Sequence, residues 1–238
     1  MDKLNAIVLA GGNSKAFLLI NGKPMVEYVI DALCDAKYIG NIIAVGEVDK
    51  LKPLLGRRVT RYIQGGDTLI ESVKRGIKPL NGLGHVLIIT SDIPMIKAHI
   101  IDDFIESCME KPLDIHYPIV ERRVNEKSFP GVRRTYVKLK EGEFTGGNIL
   151  YIAPSVIERC EIFISQVIAN RKRPLKIGRL LGYKFLILLL LGQMRISMIE
   201  RRLYDLLGIR GRAHISYYGE IVNDVDNISD IQLITRFF

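Results

Sequence analysis

Only three cysteines occur in 238 residues, Cys34, Cys108 and Cys160, and none forms a Cys-x-x-Cys pair. That is too few and too scattered for a disulfide framework or a structural zinc site, so all three read as reduced core residues. The four histidines, His85, His99, His116 and His214, also lack ligand spacing and read as surface or turn residues that bind no metal. No leader of basic, apolar and small residues precedes the first strand-like run, so a cytoplasmic protein is expected. The longest apolar run, Phe185 to Leu191, falls far short of the roughly 20 residues a membrane span needs. Low-complexity segments and internal repeats are missing too, and a composition of 48% hydrophobic and 25% charged residues excludes disorder.

What is present in excess is positive charge. Thirty-four Lys and Arg against 26 Asp and Glu give a net charge of +8, which attracts anions such as nucleotides, nucleic acid or lipid headgroups. The basic residues are not interleaved with aromatics in any recognisable module, so nucleic acid is not an expected partner.

The organising stretch is Asn5 to Lys15. A continuous apolar run, Ala6-Ile7-Val8-Leu9-Ala10, ends in Gly11-Gly12 and then Asn13-Ser14-Lys15. Such a run predicts a buried strand opening into an anion-binding loop. Glycines let backbone N–H groups approach a phosphoryl oxygen, and the lysine adds a compact positive charge.

Pro24 with Met25, Val26, Val29, Ile30 and Leu33 then predicts a helix. Strands are expected over 41–46, 59–63 and 86–90, with Asp67 as N-cap of a helix through Leu69, Ile70, Val73 and Ile77. This alternation predicts a mostly parallel, doubly wound α/β sheet with helices on both faces and ligands outside the carboxyl ends of the strands. The second half is less regular. Strands are expected over 115–120, 149–153 and 214–217, a charged excursion over 121–143, and a helical insertion over about 170–210 within a single domain of 1–238.

Asp92 directly follows a buried strand, where a carboxylate caps a turn, pairs with a cation or binds a metal. Alone it reads as a turn cap. Asp224 and Asp226 form a second acidic cluster, and one carboxylate from each would suffice to hold Mg²⁺ on substrate phosphates.

Ile7-Val8-Leu9-Ala10-Gly11-Gly12, Lys15 with Asn21-Gly22-Lys23-Pro24 behind it, Ser91-Asp92-Ile93-Pro94, Thr145-Gly146-Gly147-Asn148 and Asp224-Val225-Asp226 together resemble, in order, the signature series of the MobA-like nucleotidyltransferases. The resemblance implies a Rossmann-like fold of glycosyltransferase-A type. It further implies a Mg²⁺-dependent enzyme that moves a nucleoside monophosphate from a nucleoside triphosphate, GTP or CTP being the natural candidates, to a small anionic acceptor through a phosphate or hydroxyl, releasing pyrophosphate. By the same resemblance Leu9, Ala10, Gly11, Gly12, Ser14 and Lys15 cradle the triphosphate, Gln64, Asp67, Thr68 and Ser72 lie near base and ribose, and Gly146, Gly147 and Asn148 face the acceptor. Asp92, Asp226 and Asp224 hold the metal, and Lys15 and Asp92 are the catalytic pair.

The sequence departs from the family in the loop, where Ser14 runs directly into Lys15 instead of through an arginine, a methionine and a glycine. Either the loop is short or residues are left out of it, and the second is the expectation. Arg122, Arg123, Arg133, Arg134, Lys138 and Lys140 read as a solvated face or as a grip on an anionic acceptor, the former favoured. The basic and leucine-rich stretch over 171–191 reads as core, lid or homo-oligomer interface ahead of a membrane-surface contact. Two other readings of the whole remain open: a nucleotide-sugar glycosyltransferase, and a nucleotide-binding regulatory module without turnover.

Overall fold

The run Ala6–Ala10 is buried along its whole length because it lies mid-sheet with helices on both faces. The computed structural model describes residues 3–11, 15–80, 84–170 and 172–238, so Gly12, Asn13 and Ser14 of the expected cradle lie outside the described residues. The strands are β1 (Leu4–Ala10), β2 (Leu19–Ile20), β3 (Lys23–Pro24), β4 (Ile39–Gly46), β5 (Arg61–Gln64), β6 (Val86–Thr90), β7 (Ile115–Glu121), β8 (Val137–Leu139), β9 (Gly142–Gly146), β10 (Ile149–Ile152) and β11 (Gly211–Ser216). The helices are α1 (Met25–Asp35), α2 (Val48–Leu55), α3 (Leu69–Ile77), α4 (Ala98–Met109), α5 (Arg122–Ser128), α6 (Pro154–Arg159), α7 (Glu161–Ala169), α8 (Pro174–Leu181), α9 (Tyr183–Leu190), α10 (Ile196–Leu207) and α11 (Ile228–Ile234).

Side chains alternate across a strand, so Ala6, Val8 and Ala10 meet Val26, Val29, Ile30 and Leu33 of α1 and Ile101, Phe104 and Ile105 of α4. Ile7 and Leu9 face the other way, onto Val73 and Ile77 of α3 and Val156 and Ile157 of α6. Each Val, Leu, Ile or Phe side chain so taken from water contributes about 1.5–3 kcal/mol. Gly76 lets α3 sit this close, since a Cβ there would lie 2.7 Å from Ile7 Cγ2 and 3.0 Å from Val45 Cγ2.

The main sheet runs β5-β4-β1-β6-β10-β7-β9-β8, with β11 also paired to β7. β5, β4, β1 and β6 are mutually parallel, and β11 is parallel to β7. β10 runs antiparallel between β6 and β7, and β8 and β9 form an antiparallel hairpin against β7. The sheet is therefore mixed in its second half, where the charged excursion proves to be α5 and the β8–β9 hairpin.

From β1 the chain winds outward through β4 and β5, then returns to place β6 on the other side of β1. The strand order reverses between β1 and β6, and ligands of open α/β sheets bind at the carboxyl ends of such a pair. Gly11 follows β1 there and Asp92 follows β6. The stretch expected to be helical over about 170–210 contains α8, α9 and α10. Among the described residues no helix is long and apolar enough to cross a membrane.

Three local expectations are corrected. The helix after β5 is capped by Thr68, whose hydroxyl accepts from Glu71 N–H, while the Asp67 N–H donates to the Glu71 carboxylate. Cys34 is exposed; only Cys108 and Cys160 are core residues. His116 is fully buried on β7 and its Nδ1 lies 2.7 Å from His214 Nε2 on β11, so these two are neither surface nor turn residues.

Candidate active site

The carboxyl ends of β1 and β6 are tied together by backbone. Ser91 N–H donates to Leu9 C=O at 3.1 Å, and Val225 N–H donates to Asp92 C=O at 2.8 Å. The second bond pins the Asp224–Asp226 segment beside β6, although 132 residues of sequence separate Asp92 from Asp224. Side-chain oxygens of Asp92, Asp224 and Asp226 thereby come within 4.8 Å of one another. An Asn227–Asp230 capping box starts α11 directly after them, and Asp226 N–H also donates to the Asp230 carboxylate. The acidic segment is thus fixed from both ends.

Three carboxylates this close repel unless cations are near, and basic side chains from three other parts of the chain supply them. Lys15, opening the short 3-10 turn after the glycine loop, places Nζ 3.0 Å from Asp226 Oδ1. Lys172, just before α8, reaches Asp226 Oδ2 at 3.2 Å. Arg134 forms an ion pair with Asp224. The Lys15 hydrogen bond holds the Asp226 carboxyl below its ordinary range, partly offset by burial and helped by Lys172. Burial pushes the Arg134 guanidinium down, opposed by Tyr117, Tyr136, Asp226 and Asp92, and its Nε is buried without a hydrogen-bond partner.

Lys15 thus lies against the acidic cluster, while the expectation about the loop before it falls on Gly12, Asn13 and Ser14, outside the described residues. Leu9 and Ala10 are buried strand residues that shape the floor, and Gly11 is exposed with nothing within 4 Å of where a Cβ would stand.

Gln64, Asp67, Thr68 and Ser72 gather at the carboxyl end of β5, separated from β1 by β4, about 10 Å away at ordinary strand spacing. Their polar atoms shape this loop. Ser72 Oγ accepts from Gly66 N–H at 2.9 Å, Thr68 caps α3, and Gly65 N–H ties the turn to Gly46 C=O at 3.0 Å.

Gly146, Gly147 and Asn148 bridge β9 to β10. Asn148 C=O accepts from Thr90 N–H at 3.1 Å, which sets this turn against the end of β6. The two glycines are needed for close packing: a Cβ on Gly146 would lie 2.2 Å from the Tyr117 hydroxyl, and one on Gly147 would lie 2.5 Å from Ile221 Cγ2. They let Tyr117 and Ile221 pack directly on the turn.

Two basic residues that no short-range pattern singles out join the acidic cluster. Arg134 was one of a run of basic residues, yet Arg122 is spent on Glu126 and Glu143, and Arg123 on Glu121, as a solvated face would be. Arg134 alone of these turns inward to Asp224, and an open cleft of about 960 Å³ runs past it, lined also by Arg133, Tyr136 and Lys138. Lys172 belonged to the insertion, and only its distant pairing with Asp226 marks it.

Residues 6–182 match the model of the MobA-like NTP transferase domain. The chain belongs to that family. Asp224 and Asp226 lie beyond the matched range, so their meeting with Asp92 is an observation independent of the match. A hypothetical transferase from Thermus thermophilus superposes with a TM-score of 0.83 at 33% identity, covering 96% of this chain and 99% of its own. The 4-diphosphocytidyl-2C-methyl-D-erythritol synthase of Anaerococcus prevotii shares the fold, with a TM-score of 0.64 at 12% identity over 99% of this chain and 98% of its own. Among curated relatives, a 2-C-methyl-D-erythritol 4-phosphate cytidylyltransferase of Lachnoclostridium phytofermentans is 29% identical over 47% of this chain and 54% of its own length. A probable molybdenum cofactor guanylyltransferase of Thermococcus gammatolerans is 36% identical over 40% of this chain and 51% of its own length. The chain thus spans about half the length of the curated relatives it matches.

Proposed function

We propose that this chain is a nucleotidyltransferase, moving a nucleoside monophosphate from CTP or GTP to a small anionic acceptor with release of pyrophosphate, within a single domain. The observation that carries this reading is the convergence of Asp92, Asp224 and Asp226 with Lys15 at the β1–β6 switch point. An all-oxygen carboxylate set fits a hard divalent cation such as Mg²⁺, and the cations now paired with it mark a place where positive charge is favoured. Asp92, Asp226 and Asp224 would hold that ion, which when bound supplies Lewis-acid polarisation of phosphate oxygens.

The chain's own groups account for the rest. Exposed Gly11 offers backbone to the phosphates without a Cβ in the way. Lys15, released from Asp226 when a phosphate competes for it, neutralises the charge that builds as pyrophosphate departs. The β5 loop with Gln64, Asp67, Thr68 and Ser72 borders the nucleoside, and Arg134 with the cleft beside it receives the acceptor's anionic group. The cytidylyl- and guanylyltransferase relatives support the choice of CTP and GTP as first nucleotides to try.

The test is release of pyrophosphate from each of the four NTPs with Mg²⁺ and a panel of phosphorylated acceptors. Selective turnover of one NTP supports the reading, whereas release of a nucleoside diphosphate from a nucleotide sugar would replace it with glycosyl transfer.

A further inference from the structure

From Ile162 to Ile199 the chain contains no aspartate or glutamate but seven basic residues, Arg171, Lys172, Arg173, Lys176, Arg179, Lys184 and Arg195. Within it, α8 and α9 form a helical hairpin. α8 and α9 are joined at Gly182, with φ +117°, and pack closely because Gly178 leaves room, a Cβ there meeting Leu189 Cδ2 at 3.1 Å and Leu186 Cα at 3.4 Å. Phe185, Leu188 and Leu189 on the inner side of α9 pack on Leu139, Phe144 and Met194.

The outer side of α9 is apolar and uncovered. Tyr183, Ile187, Leu190 and Leu191 are 74%, 56%, 63% and 66% exposed, and at 100° per residue all four fall on one arc, with Lys184 at its edge. The neighbouring outer face of α8 presents Leu175, Lys176 and Arg179, with exposed Lys172 and Arg173 leading into it. An apolar stripe thus lies beside a cationic stripe on two helices too short to span a bilayer.

A second copy of this chain is a poor occupant. A two-fold contact through this face would bring the same positive charges together with no acidic residue on the segment to offset them. Charge complementarity points instead to a surface that is anionic and also takes up apolar side chains.

We propose that the α8–α9 hairpin docks on an anionic lipid surface, with Tyr183, Ile187, Leu190 and Leu191 in the acyl boundary and Lys176, Arg179 and Lys184 among headgroup phosphates. The docking is independent of the nucleotide reading. It is continuous with the candidate site, because Lys172, just before the same hairpin, also reaches Asp226.

The test is co-sedimentation of the full chain with vesicles of phosphatidylcholine alone and with roughly 30% phosphatidylglycerol, at about 0.1 and 0.5 M salt. The expected result is binding to the anionic vesicles only, weakened about tenfold or more by the higher salt. Two variants, Ile187→Ser/Leu190→Ser/Leu191→Ser and Lys176→Glu/Arg179→Glu, change exposed residues and should each lower binding by about tenfold or more with Tm unchanged. Equal binding to both vesicle types, no binding, or wild-type binding by both variants overturns the proposal. So does a concentration-dependent dimer abolished by the triple serine variant, which would make the face a self-interface, or an acidic protein held there in place of lipid.

Discussion

The sheet carries a trio of metal-capable side chains at each end, and the two trios behave oppositely. At the carboxyl end, Asp92, Asp224 and Asp226 converge; at the opposite end, Cys108, His116 and His214 do, and in both sets the ligand atoms lie within 4.8 Å of one another. Proximity is therefore the same, and environment makes the difference. The carboxylates are partly open to solvent, and two of them are paired with lysines and an arginine from elsewhere in the chain. The histidines are satisfied. His116 Nε2 accepts from Leu113 N–H at 3.1 Å while its Nδ1 faces His214 Nε2. Burial, with His214, His85 and Arg212 nearby, pushes His116 down to about 4, and burial and Arg212 also push His214 down, which keeps both rings neutral. Burial pushes the Cys108 thiol up as well. Among the described residues, the carboxyl-end trio is held by ion pairs and His116 of the opposite trio by hydrogen bonds inside the fold.

The sharpest way to break that contrast is Arg134→Met. Removing one member of a buried ion pair costs about 3–5 kcal/mol, because Asp224 is left without its counter-charge. Mg²⁺ should restore much of that loss, so the urea midpoint of the variant should rise with Mg²⁺ more than that of the wild type. An equal response in both would mean that Arg134 does not occupy a cation's place.

Next in size are Lys15→Ala and Asp92→Asn. Each should lower pyrophosphate release by about 10²–10³-fold, as removal of one transition-state stabiliser does, with the thermal transition nearly unchanged. Normal turnover in either would remove that residue from the mechanism.

The opposite end should answer to pH instead. His116 titrates near 4 in the fold and near 6.5 when unfolded, so the unfolded chain binds more protons between those values. Its stabilisation is complete above about pH 6.5 and is lost as pH falls towards 4, by about 3 kcal/mol at most. Tm measured from pH 7.5 to 4.5 should fall, and His116→Gln, which cannot be charged, should flatten that slope without altering nucleotide binding. The carboxyl of Asp226 is held below its ordinary range, so its own contribution is lost only at lower pH, below that window. Smallest is Thr68→Ala, which removes the cap of α3 and should cost about 1 kcal/mol, read as a small shift in urea midpoint.

The carboxyl end was largely legible in the sequence because its signals are local. An apolar run ending in glycines, and an aspartate placed just after such a run, mark the strands and their tips, while the chemistry there was read from the set of motifs together. The partners were not legible, since Arg134 and Asp224 lie 90 residues apart and Lys172 and Asp226 lie 54 apart, and no short-range pattern records such a meeting. The histidine pair was misread for the same reason: His116 and His214 are 98 residues apart and meet only because β11 returns to lie parallel to β7. The cap of α3 was missed by one residue, between two neighbours, Asp67 and Thr68, that both suit the role. The mixed half of the sheet was hidden because β8 and β9 are short and their sequence is charged rather than apolar.

The most direct test of the central contrast is the thermal shift produced by each NTP with Mg²⁺ on three proteins: wild type, Asp92→Asn/Asp226→Asn and His116→Gln. At about a hundred times the dissociation constant, a bound nucleotide adds about 2.7 kcal/mol. One NTP should shift the wild type and His116→Gln alike and leave the double aspartate variant unmoved. An undiminished shift in the aspartate variant, or no shift with any NTP, would contradict a nucleotide site at the carboxyl end of the sheet.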